Sequence, residues 1–232
     1  MTAMLASVRD EEEARLAHAA GVDIIDLKEP GRGALGALDA ELVRHILSQS
    51  DKGTPFSATI GDIPFRADLI EPEIIAMAAT GVDFVKVGVF GDPEDAEAMR
   101  ILHAASRQEI QVVLVLFAED RFPPDFSVYA RHGLAGVMLD TRDKQSGSLR
   151  DKLPDSQLQA FVEQARAVNL FCGLAGSLSQ ADIPALTALA PDYLGFRGAL
   201  CRKRCRTARL DGEAIRQIRQ SLAGAGGMSQ CA

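Results

Sequence analysis

Tryptophan is absent from the 232 residues and tyrosine occurs only twice. Stacked bases therefore have few aromatic platforms, which argues against a nucleic-acid partner. Basic residues are the minority, 25 Lys and Arg against 32 Asp and Glu, for a formal net charge of -7. A nucleic-acid or anionic-membrane binder needs the opposite balance. No apolar run approaches the ~18 residues of a membrane span. The opening MTAMLASVRDEEEA turns acidic at once and lacks a signal peptide's basic start and long apolar stretch. Four cysteines are too few for a disulfide framework at this length, and a cytoplasmic location is expected. His18, His45, His103 and His132 are scattered through helical segments without paired metal spacing. Cys201 and Cys205, in CRKRC, lack the second pair a zinc site needs. Neither a metal nor a cofactor is expected.

Apolar residues other than glycine make up 47% of the chain, and there are 20 glycines. Short apolar runs at 4–8, 23–28, 56–60, 83–89, 111–117, 136–140, 171–176 and 193–198 read as strands. Amphipathic stretches near 10–20, 39–49, 67–80, 93–107, 125–132, 154–169, 179–190 and 211–222 read as helices. The run QVVLVLF suits a strand covered on both faces. Gly-Val-Asp recurs at 21–23 and 81–83, where a helix should end and a strand begin, and Gly fits a left-handed helix end. Eight βα units in this length predict an α/β fold, a closed (β/α)8 TIM barrel, over 1–222 as one domain. An open doubly wound sheet is the alternative, but no G-x-G-x-x-G follows the first strand. Ser, Gly and Gln enrichment makes 223–232 a loose tail by expectation.

In such a barrel the active site lies at the C-terminal ends of the strands. Strand alternation sets Ile25 and Leu27 toward the helices and Asp26 and Lys28 inward. By the same parity Lys86 faces inward between Val85 and Val87, and Asp140 faces inward after Val137 and Leu139. Thr141 and Lys144 follow in the next loop, Gly61-Asp62 ends strand three, and Arg197 shares parity with Tyr193 and Gly195. A lone strand lysine is ordinarily a surface residue, and an ion-pair network, a cap at Asp140 or a rim salt bridge at Arg197 are the plain structural alternatives. Two inward lysines beside aspartates are different, because an isolated buried ammonium is costly.

Burial and a second ammonium both favour a neutral amine, and a neutral lysine attacks a carbonyl to give an imine. The second lysine or Asp140 then moves protons. Small residues at 174–177 and 197–199 stand where barrels bind phosphate, so Gly176, Ser177, Arg197 and Gly198 are candidates for that contact. The run Arg202–Arg206 reads first as a solvated loop and second as an attractor of phosphate. These features suggest aldolase-type chemistry on a phosphorylated carbonyl compound.

The stretches ASVRDEEEA, DIIDLKEPGRGALGA, SATIGDIP, GVDFVKVGVFG, MLDTRDKQSGSL, GLAGSL and LGFRGALC, in that order from about residue 4 to 201, resemble the (5-formylfuran-3-yl)methyl phosphate synthase family. The resemblance implies a class I aldolase-like barrel and a lyase of methanofuran-type cofactor biosynthesis in one-carbon metabolism. It implies condensation of two glyceraldehyde 3-phosphate molecules to 4-(hydroxymethyl)-2-furancarboxaldehyde phosphate, with loss of phosphate and water. Carried over by motif, Lys28 in DLKEP looks like the Schiff-base lysine and Lys86 in VKVG like the proton acceptor, while Asp26 joins the catalytic candidates by its inward parity beside Lys28. Asp140 and Lys144 in DTRDK match further active-site positions. The chain departs from the pattern at 117–127, FAEDRFPPDFS, and after Cys201. The expected partner is a small phosphorylated substrate; a homo-oligomer is allowed but not specified. The alternatives are another Schiff-base phosphosugar aldolase or isomerase, and a non-catalytic metabolite-binding barrel.

Overall fold

A computed structural model describes residues 2–50 and 53–228. Its strands are β1 (Ala3–Val8), β2 (Ile24–Leu27), β3 (Phe56–Thr59), β4 (Phe84–Gly88), β5 (Val112–Phe117), β6 (Gly136–Asp140), β7 (Phe171–Leu174) and β8 (Tyr193–Phe196). Each pairs in parallel with the next, and β8 closes on β1, so the sheet is a barrel with β-strands in chain order. The helices are α1 (Glu11–Ala19), α2 (Ala40–Ser48), α3 (Ala67–Ala78), α4 (Ala96–Arg107), α5 (Ser127–Arg131), α6 (Leu149–Lys152), α7 (Asp155–Ala167), α8 (Ile183–Ala188) and α9 (Gly212–Met228). The protein is a (β/α)8 TIM barrel. Among the described residues no helix is long and apolar enough to cross a membrane.

The Gly-Val-Asp repeat has a physical reason. Gly21 and Gly81 take φ of +72° and +93°, which turns the chain out of the preceding helix without a Cβ penalty. Asp23 then accepts the Met4 N–H at 2.8 Å, and Asp83 accepts the Phe56 N–H at 2.7 Å. Asp192 does the same for Cys172 at 2.7 Å. In each case a carboxylate before one strand satisfies the first amides of the strand beside it.

Alternation divides the barrel into two cores. Ile25, Leu27, Val85, Val87, Val137 and Leu139 pack outward among the helices. A smaller cluster fills the interior, with Leu5, Ile24, Val113, Val115, Met138 and Tyr193 among its members. Its N-terminal end is an aromatic plug: Phe171 lies 5.0 Å from Tyr193 and 6.2 Å from Phe84, ring centre to ring centre. Gly173 is required there, since a Cβ would overlap the Tyr193 ring. Above this plug the inward positions become polar, with Ser7, Asp26, Ser57, Thr59, Lys86 and Asp140 all buried.

Two boundaries differ from the sequence reading. The last helix does not stop near 222; it runs to Met228, so the predicted tail begins as helix. Leu222 and Ala225 still pack on the core, and alanine is the strongest helix former. Residues 229–232 of that tail lie outside the described residues. The helix expected from 93 begins at Ala96, because Asp95 caps it by accepting the Ala98 N–H. The short α6, in a stretch read as loop, is held by a capping box between Ser148 and Asp151.

Candidate active site

The site starts from strand register. Ser7, Asp26 and Ser57 are aligned across β1, β2 and β3 and all point inward. Both serine hydroxyls donate to the Asp26 carboxylate, Ser7 at 2.9 Å and Ser57 at 2.7 Å. Lys86 reaches the same carboxylate from β4 at 3.0 Å, and Lys28 Nζ stands 3.9 Å from it. Asp26 thus sits between two ammonium groups at the top of a closed barrel. Burial alone would raise its carboxyl, but Lys86, Lys28 and the Ser57 hydroxyl outweigh that and hold it below the usual carboxylate range.

Lys28 lies just past the end of β2, its N–H still bonded to the Val8 carbonyl at 2.9 Å. Burial lowers its ammonium from 10.5 to about 8, against the pull of Asp26 and Asp140 and with help from Lys144 and Lys86. A lysine so placed supplies neutral amine near neutral pH, as nucleophilic catalysis requires. Lys144 pairs directly with Asp140 at the end of β6. Burial would raise Asp140 as well, yet Lys144 and Lys28 keep it ionised and low. Three lysines and two aspartates from β2, β4, β6 and the β6 loop therefore form one cluster.

This cluster opens on a cavity of about 690 Å³ at the C-terminal end of the barrel. That falls inside the roughly 300–1,000 Å³ range of small-molecule sites. Lys28, Asp140 and Lys144 line it; Asp26 and Lys86 lie outside its lining. Gly176, Ser177 and Gly198, from the loops after β7 and β8, also line it. Their amides have no acceptor among the described residues. Gly176 takes φ +103°, and a Cβ there would press on Thr141. The Ser177 hydroxyl donates to the Lys144 carbonyl at 3.1 Å, so it braces the lysine loop. The Thr141 hydroxyl beside Gly176 is buried and has no hydrogen-bond partner among the described residues.

Arg197 is brought to the same mouth, as parity predicted, but its chemistry differs from the phosphate contact expected of it. Its Nε donates to the Arg206 carbonyl at 2.7 Å, and its two terminal nitrogens donate to Ser7 O, Ala208 O and both oxygens of Glu13. A guanidinium has five N–H donors, and all five are committed within the protein. Arg197 is a clamp between α1, β1 and the chain after β8. Glu13, in the first turn of α1, is the buried anion that completes it. The clamp fixes an excursion closed by an antiparallel bridge between Cys201 and Leu210. The run Arg202–Arg206 lies on this excursion, and Arg204 and Arg206 line the cavity.

Two supports carry roles that the sequence reading did not assign, Asp62 at the end of strand three and Arg142 in the β6 loop. Asp62 accepts the N–H groups of Ala34 at 2.8 Å and Leu35 at 2.6 Å, and so shapes the loop that follows Lys28. Arg142 stacks over Phe117 and Phe90, at 5.0 and 5.4 Å, and pairs with Asp120. The departing stretch 117–127 therefore braces the β6 loop through Arg142. Ser7 and Ser57 were legible in principle, since both share inward parity with Asp26 in register.

A model of the 4-HFC-P synthase family matches residues 4–219. The chain belongs to that family. It is 44% identical over 220 residues to a Methylorubrum extorquens protein provisionally named a (5-formylfuran-3-yl)methyl phosphate synthase, covering 94% of this chain and 91% of the relative. It is 32% identical over 230 residues to the (5-formylfuran-3-yl)methyl phosphate synthase of Methanocaldococcus jannaschii, covering 94% and 98%. The family barrel is also shared more widely. The 3-hexulose-6-phosphate synthase of Salmonella typhimurium superposes with a TM-score of 0.70 at 18% identity, over 97% of this chain and 100% of that one. Phosphoribosyl anthranilate isomerase from Thermus thermophilus gives 0.69 at 19%, over 97% and 99%. Those two likenesses concern the fold alone.

Proposed function

We propose that this member of the family is a (5-formylfuran-3-yl)methyl phosphate synthase that condenses two molecules of glyceraldehyde 3-phosphate through an imine on Lys28. The observation that carries the reading is Lys28 itself: a cavity-lining amine brought to about 8 by burial, beside Asp26 and Asp140. It attacks the carbonyl of one triose phosphate, after isomerisation to the ketone form, and loss of water gives the imine. Lys86, bound to Asp26, takes the proton from C2 of the second molecule, whose phosphate leaves C3, and the methylene carbon of the resulting enol attacks the imine carbon, the bond that the product's branched skeleton requires. The Asp140–Lys144 pair exchanges protons with the developing oxygens. The amides of Gly176, Ser177 and Gly198 hold the phosphate of the imine-bound triose. Departure of the Lys28 amine, closure of the free hydroxyl onto the ketone and loss of a second water then complete the furan, so that two trioses give one furan aldehyde phosphate, one phosphate and two waters. This is lyase chemistry, and we assign it to the cytoplasm, where Cys172, Cys201 and Cys205 stand as free thiols.

Purified protein given glyceraldehyde 3-phosphate should develop the ultraviolet band of a furan aldehyde, with a product of matching mass. Borohydride added during turnover should leave a triose adduct on the peptide carrying Lys28. Triose consumed without that chromophore would favour a simple aldolase or isomerase, and binding without turnover or trapping would favour a metabolite-binding barrel.

A further inference from the structure

Arg206 stands out by contrast with its neighbour. The structure holds Arg197 by five donors, but gives Arg206 one hydrogen bond, from Nη2 to the Gly33 carbonyl at 2.9 Å. Four N–H groups of this half-buried guanidinium remain, and Asp140 and Asp62 act on it only through space, with no direct ion pair among the described residues. A charge withdrawn from water without an anion is costly, and it is retained where a ligand supplies the anion. The cavity wall shows the same imbalance. Its cations are Lys28, Lys144, Arg197, Arg204 and Arg206, while Asp140 is its one carboxylate among the described residues.

The excursion that carries Arg206 is built to hold it in place. The Cys201–Leu210 bridge closes its base, and the Arg202 N–H bonds the Arg209 carbonyl at 3.1 Å. Arg197 grips the carbonyls of Arg206 and Ala208, and Arg9 grips that of Thr207 at 2.8 Å. Lys203 and Arg204 both adopt φ of 54°, a strained turn for side chains with a Cβ. From this turn Arg206 reaches back to Gly33, in the loop that follows Lys28.

We propose that Arg206 is a substrate-anchoring residue that binds the phosphate of the second triose phosphate, the one that enters after the imine has formed on Lys28. This rests on the condensation proposed above. The amides after β7 and β8 hold the first phosphate, and Arg206, carried on the excursion that Arg197 clamps, offers a forked donor set for a second. Lys28 then shares one cavity with both sets of anion donors, as joining two phosphorylated carbonyl compounds requires.

The test uses the full chain and glyceraldehyde 3-phosphate, comparing wild type with Arg206→Met, Arg206→Lys and Arg202→Ala. Two quantities are read: borohydride-trapped imine at Lys28, which needs one substrate, and furan formation, which needs two. In R206M, furan formation at limiting substrate should fall roughly ten- to hundredfold while trapped imine stays within about twofold of wild type. R206K should recover part of the loss, and R202A, whose side chain lies off this cavity, should change neither. A wild-type chain that makes no furan overturns the condensation, and this assignment with it. Wild type that makes furan, beside R206M that makes it equally fast, overturns the assignment alone. Imine and furan lost together in R206M but not in R206K would place Arg206 at the first phosphate instead, and would equally overturn it.

Discussion

Two groups of buried opposite charges share one end of this barrel. In the first, Arg197 and Glu13 neutralise each other, and every guanidinium donor has an acceptor. In the second, Lys28, Lys86 and Lys144 outnumber Asp26 and Asp140, and the cluster opens on a cavity. Both would pass a sequence test for buried ionisable residues at strand ends. What separates them is whether the charge and donors balance without a ligand. The balanced group ties α1 to the chain after β8; the unbalanced group keeps one amine close to neutrality. Burial of a charge therefore marks structure or chemistry according to what remains unpaired.

The sharpest way to break the comparison is at Lys28. Lys28→Ala should abolish borohydride trapping and lower furan formation by more than the roughly 10²–10⁴-fold that a proton-transfer group contributes. A variant that still traps the triose would move the nucleophile elsewhere. Lys86→Met should fall within that roughly 10²–10⁴-fold range and retain trapped imine, because it removes proton transfer and leaves the nucleophile. Imine lost in K86M with the fold intact would make Lys86 part of the nucleophile's activation.

The clamp should respond in a different currency. Glu13→Ala leaves the Arg197 guanidinium buried without its anion, which typically costs about 3–5 kcal/mol. Denaturant midpoints should fall accordingly, while trapped imine per folded molecule stays unchanged. A stable E13A chain that has lost trapping would erase the distinction between the two groups.

Much of this was legible in the chain because it depends on period and local chemistry. Alternation alone faced Asp26, Lys28, Lys86 and Asp140 inward, since a strand residue's side is fixed by counting. The Gly-Val-Asp repeat announced its turns for the same reason. Arg197 shows where that logic stops. Parity correctly brought it inward, but its partner Glu13 lies 184 residues away on α1, and no local pattern announces such a pair. The run Arg202–Arg206 reads as solvated, and its first four residues are indeed exposed, but no local pattern announces the Cys201–Leu210 bridge and the Arg197 clamp that carry Arg204 and Arg206 to the mouth. The helix end at Met228 was missed because Ala and Gly carry no amphipathic period, although Ala225 still packs.

The finest comparison concerns protons. Lys28 sits at about 8 in the folded chain and at 10.5 when freely solvated. Below about 8 both states hold the proton. Between about 8 and 10.5 the unfolded chain holds it and the folded chain has released it, so stability from this group rises with pH across that window. At 1.36 kcal/mol per unit the increment is on the order of 3 kcal/mol. Imine formation should rise through the same lower limit, following the neutral fraction of the amine. Lys28→Met should lack both rises, and near pH 7 it should be more stable than wild type, since it removes the excess cation while Asp26 keeps Lys86 and Asp140 keeps Lys144. Denaturant titrations of the two chains at several pH values would decide this. Parallel curves for wild type and K28M would mean that Lys28 is as well balanced as Arg197, and the amine would then lack the neutral form on which the proposed chemistry depends.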